Sequence, residues 1–212
     1  MSKGKKSKGK GKGRGIMNRS DIPYAMRMAM QHHSNIVMNR NHAAKIAMYC
    51  LSVAMHELEG IGYKRLVRFS FRHKDVIDEF YEDPEVGMAH AKHRLDQLGM
   101  PISGEFYSVM LEGLSKKEQE IQANRLQAVQ IALICGAIAL NDEFGFGQER
   151  QKRISQRSNE LSARYAKEGE GFLLDEMEKI GFPVIDGEVM AYMDDDGNAV
   201  TEKQWREQNN HE

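Results

Sequence analysis

The chain has 212 residues, of which 41% are hydrophobic and 29% are charged, and this composition is typical of a globular protein with its own core. No uninterrupted apolar run reaches the roughly 18 residues of a membrane-spanning helix, and the basic N-terminus lacks the apolar stretch of a secretory signal. The two cysteines, Cys50 and Cys135, stand among alanines and do not form a disulfide framework. We therefore expect a cytoplasmic protein that does not bind membranes.

Charge is distributed unevenly along the chain. Residues 1–15 carry seven basic side chains and no acidic one, so the other residues carry 23 basic against 31 acidic side chains. The low-complexity Lys/Gly/Ser composition predicts a disordered basic tail over residues 1–16. Its side chains are predicted to contact nucleic-acid phosphates. They are Lys3, Lys5, Lys6, Lys8, Lys10, Lys12 and Arg14.

One stretch of the sequence occurs twice. Residues 36–72 and 121–157 align without gaps, and 14 of the 37 aligned positions are identical. The similarity resumes as GMPISGE from Gly99 and GFPVIDGE from Gly181. The pattern indicates a tandem duplication, with a first helical repeat over residues 17–105 and a second over residues 106–188.

Helix signals in the first repeat come in a regular order. A short helix is predicted to end near His33, followed by a long helix over about 36–59. The Gly60-Ile61-Gly62 segment ends that helix, and a further helix is predicted over about 63–81. A third helix is predicted to begin at Asp83-Pro84 and to end at Gly99.

The second repeat follows the same order. A short helix is predicted over 106–114, and Ser115 to Glu118 forms a capping box for a long helix over about 121–143. After the 145–147 break, two helices are predicted to end near Lys167 and Ile180. Residues 189–212 are predicted to form a hairpin about Asp196-Gly197 and a short helix capped by Thr201. The predicted fold is mainly all-α, with two helical units packed about a pseudo-twofold axis and a small C-terminal β-hairpin.

The repeated positions on the long helices share one helical face. Small residues at Ala43, Ala47, Cys50 and Ala54 predict that the two long helices pack closely together, and their counterparts are expected to be buried as well. Polar residues at the ends of this face are interpreted as structural, and an antiparallel arrangement would pair Arg40 with Asp142 and Arg125 with Glu57. The alternative interpretation is a catalytic Asn/Arg/acid set. The structural polar candidates are Asn39, Arg40, Glu57, Asn124, Arg125 and Asp142.

After each glycine break, three arginines follow at the i, i+3, i+7 spacing of one helical face. Arginine binds phosphate with two parallel hydrogen bonds, so these two arginine stripes are candidates for nucleic-acid binding. The alternative is that they form salt bridges at the edge of the core. The middle arginines are expected to be exposed, and the first ones are expected to bond Glu57, Asp142 or the last carbonyls of the long helix. The stripes are Arg65, Arg68 and Arg72, and Arg150, Arg153 and Arg157.

Recognisable enzyme signatures are missing from the sequence. There is no GxSxG, Walker or HExxH pattern, and no set of Cys and His residues with metal-ligand spacing. We therefore expect no enzyme activity, no cofactor and no metal.

The segment Ala139 to Arg150, ALNDEFGFGQER, resembles the ALHDEFGFGKKRL stretch of small phage and prophage proteins of Gram-positive bacteria. The first repeat departs from that motif at Leu58-Glu59 and at Ile61. The resemblance covers about thirty residues of each repeat and implies a phage or mobile-element protein that acts inside a bacterial host cell.

Two functions are compatible with these observations. The first is a phage-type accessory protein that binds nucleic acid without catalysis, through the basic tail and the arginine stripes. The second is a phage-encoded inhibitor that binds a host protein, such as a component of a defence system or a polymerase. The sequence leaves open whether the chain forms homo-oligomers.

Overall fold

The fold was analysed in a computed structural model that describes residues 24–100, 114–194 and 198–209. The predicted basic tail, residues 106–113 of the predicted 106–114 helix and the Asp196-Gly197 turn lie outside these residues. The chain divides into two units, Met1–Asn35 and Ile36–Glu212. Of the described residues, 81% are helical, so the predicted class of a mainly all-α protein with a small C-terminal antiparallel β element is confirmed.

Seven helices and four short strands make up the described part of the chain. The helices are α1 (Tyr24–Glu59), α2 (Tyr63–Glu82), α3 (Pro84–Gln97), α4 (Lys116–Phe144), α5 (Gln148–Glu168), α6 (Glu170–Ile180) and α7 (Glu202–Asn209). The strands are β1 (Val184–Ile185), β2 (Glu188–Val189), β3 (Tyr192–Met193) and β4 (Ala199–Val200). Strand β1 pairs with β2, and β3 pairs with β4, both antiparallel.

Local chemistry sets the helix boundaries. Gly60 and Gly145 adopt the left-handed conformation, with φ of 63° and 65°, that glycine reaches without a Cβ clash, and so end α1 and α4. Ser115 and Glu118 form the predicted capping box at the start of α4. Asp83 caps α3 by accepting hydrogen bonds from two backbone N–H groups of its first turn.

One predicted boundary was wrong, and one hairpin was not predicted. Helix α1 runs through Ser34 and Asn35 without interruption, because helix propensity is a weak preference that the rest of a long helix overrides. The C-terminal region also contains an additional hairpin, β1–β2. It turns through Asp186 and Gly187, with φ of 52° and 78°, which are the positive values that a two-residue hairpin turn requires.

The small-residue faces of α1 and α4 are buried, as predicted. Ala43, Ala47, Cys50 and Ala54 are at most 9% exposed, and so are their counterparts Ala128, Ala132, Cys135 and Ala139. A Cβ atom added at Gly136 of α4 would lie 3.0 Å from Leu51 Cδ2 of α1. The absence of a side chain at Gly136 therefore allows the two helices to approach closely. Superposition of the two repeats about a pseudo-twofold axis stays a prediction.

Two hydrophobic clusters form the core of the 36–212 unit. The larger contains residues of α1, α2, α4, α5 and α6 together with Phe182 and Ala199, and the smaller joins the far end of α2 to α3 and α4. Of the described helices, α4 alone is long and apolar enough to cross a bilayer by length and composition. More than half of its most apolar stretch is buried in the fold, as in the core helix of a folded protein.

His73 of α2 is a titratable group inside this core. It is 7% exposed, and its Nε2 donates a hydrogen bond to the backbone oxygen of Ala132 on α4, 3.0 Å away. Burial lowers the pKa of His73 below its ordinary value of 6.5, because the charged imidazolium would lose its hydration.

This burial predicts acid sensitivity. Above the unfolded pKa of 6.5 both states are neutral and the contribution of His73 is fully present. As pH falls below that value, the unfolded chain takes up the proton first, so the free energy of unfolding decreases by at most about 1.4 kcal/mol per pH unit. Urea denaturation between pH 7.5 and 5 should show a smaller decrease for His73→Gln, whose amide keeps the donor. An equal decrease in both proteins would contradict the assignment to His73.

Candidate binding surfaces

The two long helices end in acidic residues that are held by arginines from the opposite repeat. Arg72 of α2 donates to Asp142 of α4, with Nη2 and Nε 2.8 Å and 3.0 Å from Oδ2. Arg157 of α5 donates to Glu57 of α1, with Nε 2.7 Å from Oε2. These two pairs are related by the same 85-residue shift that relates the repeats. We call them the reciprocal clasps.

The reciprocal clasps offset the unfavourable interaction between the carboxylates at the ends of the long helices and the dipoles of those helices. The C-terminal end of a helix carries partial negative charge, which disfavours carboxylates there. Glu57 and Glu59 lie in the last turn of α1, and Asp142 and Glu143 lie in the last turn of α4. Hydrogen bonding to Asp142 raises the pKa of Arg72, and hydrogen bonding to Glu57 raises the pKa of Arg157, so both guanidinium groups stay charged.

The middle arginines of the stripes are exposed, as predicted, and they also have carboxylate partners. The side chains of Arg68 and Arg153 are 54% and 64% exposed. Arg68 pairs with Glu143, and Arg153 Nη2 lies 3.0 Å from Glu59 Oε1. Both stripes thus face carboxylates at the end of the opposite long helix, and nucleic-acid binding by the stripes stays a prediction.

Of the partners expected for the first arginines, Glu57 and Asp142 do not bond them among the described residues, although Arg150 Nε lies 3.9 Å from Glu59 Oε2 in the last turn of α1. The guanidinium of Arg65 instead lies over the Phe144 ring at 4.9 Å, and that of Arg150 lies over Phe146 at 5.1 Å. The third arginine of each stripe reaches these carboxylates instead of the first. It lies two helical turns further along α2 or α5, where these helices pass the ends of the long helices.

The expected pairs Arg40–Asp142 and Arg125–Glu57 do not form among the described residues. Arg40 instead donates to the Tyr81 hydroxyl at 3.2 Å, and Arg125 is half-buried. Asp142 also accepts from Arg94 of α3. The prediction that these residues pair the long helices was therefore wrong. The arginines that follow the glycine breaks bond the two carboxylates instead.

The proposed catalytic set is not assembled either. Asn39 and Glu57 are 18 residues apart on α1, or about 27 Å along the helix axis. Asn124 Nδ2 donates to the Glu120 backbone oxygen at 2.8 Å, which is a contact within α4. The tail candidates Lys3, Lys5, Lys6, Lys8, Lys10, Lys12 and Arg14 lie outside the described residues.

A large apolar groove, which the sequence interpretation missed, lies between α4 and α5. Its volume is about 1040 Å³, and Leu51, Leu95 and Met100 line it from α1 and the end of α3. The α4 wall carries Leu126, Val129, Leu133 and Ala137, whose i, i+3, i+7, i+11 spacing was the signal in the sequence. At the aligned positions the first repeat has Asn41, Ala44, Met48 and Ser52.

The α5 wall of this groove is polar but nearly uncharged. It consists of amide and hydroxyl side chains together with one basic residue, one acidic residue and one alanine. Amide side chains can both donate to and accept from a peptide backbone. Gln148 already does so, because its Nε2 donates to the Gly99 backbone oxygen at 2.7 Å. The wall residues are Gln148, Gln151, Lys152, Ser155, Gln156, Asn159, Glu160 and Ala163.

Gln151 is the buried polar residue of the wall. It is 2% exposed, and its Nε2 donates to the backbone oxygens of Ala137 at 3.0 Å and Phe146 at 2.8 Å. Because both partners are acceptors, the amide nitrogen must face them, so the orientation of the side chain is fixed. Its Oε1 is buried and has no hydrogen-bond partner within the described residues. A buried acceptor without a donor is costly and accounts for few polar atoms in folded proteins.

On the first repeat, the C-terminal strands pack against α1 and α2. Lys45 Nζ lies 3.0 Å from Glu188 Oε1, and the backbone N–H of Val189 donates to the Tyr49 hydroxyl at 3.4 Å. The Tyr63 hydroxyl donates to the Val200 backbone oxygen at 2.8 Å. This surface is therefore already covered by residues of the same chain.

Metal and thiol chemistry find little support in the described residues. No group of three or more His, Cys, Asp or Glu side chains with metal-binding geometry occurs there. Burial raises the pKa of Cys50 and of Cys135 to about 12, so both thiols stay protonated and unreactive in the folded protein.

Comparisons with protein families, with curated proteins and with solved structures found no match to this chain. The fold defines a mainly helical protein with an apolar groove, and the resemblance to phage proteins stays a prediction.

Differences in exposure predict that the arginines contribute unequally to stability. The side chains of Arg72 and Arg157 are 30% and 36% exposed, against 54% and 64% for those of Arg68 and Arg153. We expect Arg72→Gln/Arg157→Gln to lower the free energy of unfolding by roughly 2–4 kcal/mol, and Arg68→Gln/Arg153→Gln by less than about 1 kcal/mol. Urea denaturation of the two double variants measures the difference. Equal losses would contradict a special role for the reciprocal clasps.

Proposed function

We propose that this protein acts as a non-catalytic binding protein that recognises a partner protein through the groove between α4 and α5. The groove itself is the observation that carries the proposal. Its volume of about 1040 Å³ is close to the upper end of the range of ligand-binding clefts, about 300–1,000 Å³, and its α4 wall carries an apolar stripe of half-buried side chains. An apolar cleft of this size is typical of a site for another molecule.

The charge distribution favours a protein partner over nucleic acid at the helical body. Four of the six stripe arginines already donate hydrogen bonds to carboxylates. A phosphate backbone that bound these arginines would have to displace the carboxylates. The displaced carboxylates would then lie unpaired beside the phosphates, and the like charges would repel each other. The neutral, apolar groove carries no comparable electrostatic conflict.

Within this proposal, the phage resemblance suggests the finer assignment. A phage-encoded protein that binds without catalysing a reaction can act by inhibiting a host protein, such as a component of a defence system or a polymerase. The groove would then hold the segment of the host protein through which inhibition occurs.

A steric block of the groove tests this function. Ser155 is an exposed residue of the α5 wall, so Ser155→Trp should fill the groove while leaving the core intact. In affinity capture from a bacterial host lysate, wild type should retain a protein that Ser155→Trp loses. Binding of that protein, once purified, should weaken at least about tenfold in the variant, which corresponds to about 1.4 kcal/mol.

Glu149→Trp is the matched control, because Glu149 is exposed on the same helix but does not line the groove. This variant should bind the partner as wild type does. If the same proteins are captured with equal affinity by all three forms, the groove is not the binding surface and the proposal is wrong.

The basic tail favours a second candidate function, nucleic-acid binding. Seven positive charges within residues 1–15 provide a sequence-independent attraction for phosphate, while the rest of the chain is acidic. Such a tail would supply affinity and the helical body would supply the partner surface.

Deletion of residues 1–15 tests the tail. Each phosphate neutralised on duplex DNA contributes a slope of about −0.9 to log K against log salt concentration. If the tail binds phosphates, its deletion should make the measured slope shallower by several units. The double variant Arg68→Gln/Arg153→Gln, with its tail intact, serves as the comparison. An unchanged slope after deletion would remove nucleic-acid binding as a role of the tail.

A further inference from the structure

We draw no further inference here: the strongest candidate, the exposed apolar face that Met26, Met30 and Val37 form on α1, carries none because nothing in the described part of the chain shows what covers it.

Discussion

The close approach of α1 and α4 is the constraint on which the rest of the described structure depends. The faces of the two long helices that carry alanine and cysteine are buried, and Gly136 of α4 lacks the side chain that would press on Leu51 of α1. Because the side chains on this face are short, the contact between the two helices buries little apolar area by itself. The remaining helices must therefore contribute the larger part of the core. Helices α2, α5 and α6 do so with larger residues such as Phe69 and Leu161.

The charges are arranged around the ends of the same two helices. Each long helix carries acidic residues in its last turn, where its own dipole disfavours negative charge. The helices that follow the glycine breaks fold back alongside and bring arginines to those ends. The spacing of the arginines therefore fits salt bridges from each repeat to the acidic helix end of the other. The same spacing would also fit the phosphates of a nucleic-acid backbone.

Sequence reasoning predicted the features that depend on local chemistry. The glycine breaks, the Ser115 capping box and the Asp83 cap are set by residues within a few positions of each other, and the structure has them as predicted. The buried faces of the long helices followed from helical periodicity. The Asp186-Gly187 hairpin was missed even though Asp-Gly is a strong turn signal, because its strands have only two residues each.

The partners of the arginines were harder to predict, because they depend on how far α2 slides along α4. A shift of two helical turns decides whether Arg65 or Arg72 reaches Asp142, and periodicity gives the face of a helix but not its axial position. The groove was missed for a related reason. Leu126, Val129 and Leu133 form a helical stripe that is visible in the sequence, but only the fold shows that no described element covers it.

The contact between Leu51 and Gly136 has a consequence for how this architecture can assemble. These two residues are counterparts under the 85-residue shift, so they meet each other near the axis that would relate the repeats. If the predicted pseudo-twofold axis relates the repeats, a symmetric dimer of the first half alone would oppose leucine to leucine at this point and force the helices apart. A dimer of the second half would oppose glycine to glycine and leave a void. On that prediction, covalent linkage in one chain lets the two sides of the contact differ, so that a leucine on one side meets a glycine on the other.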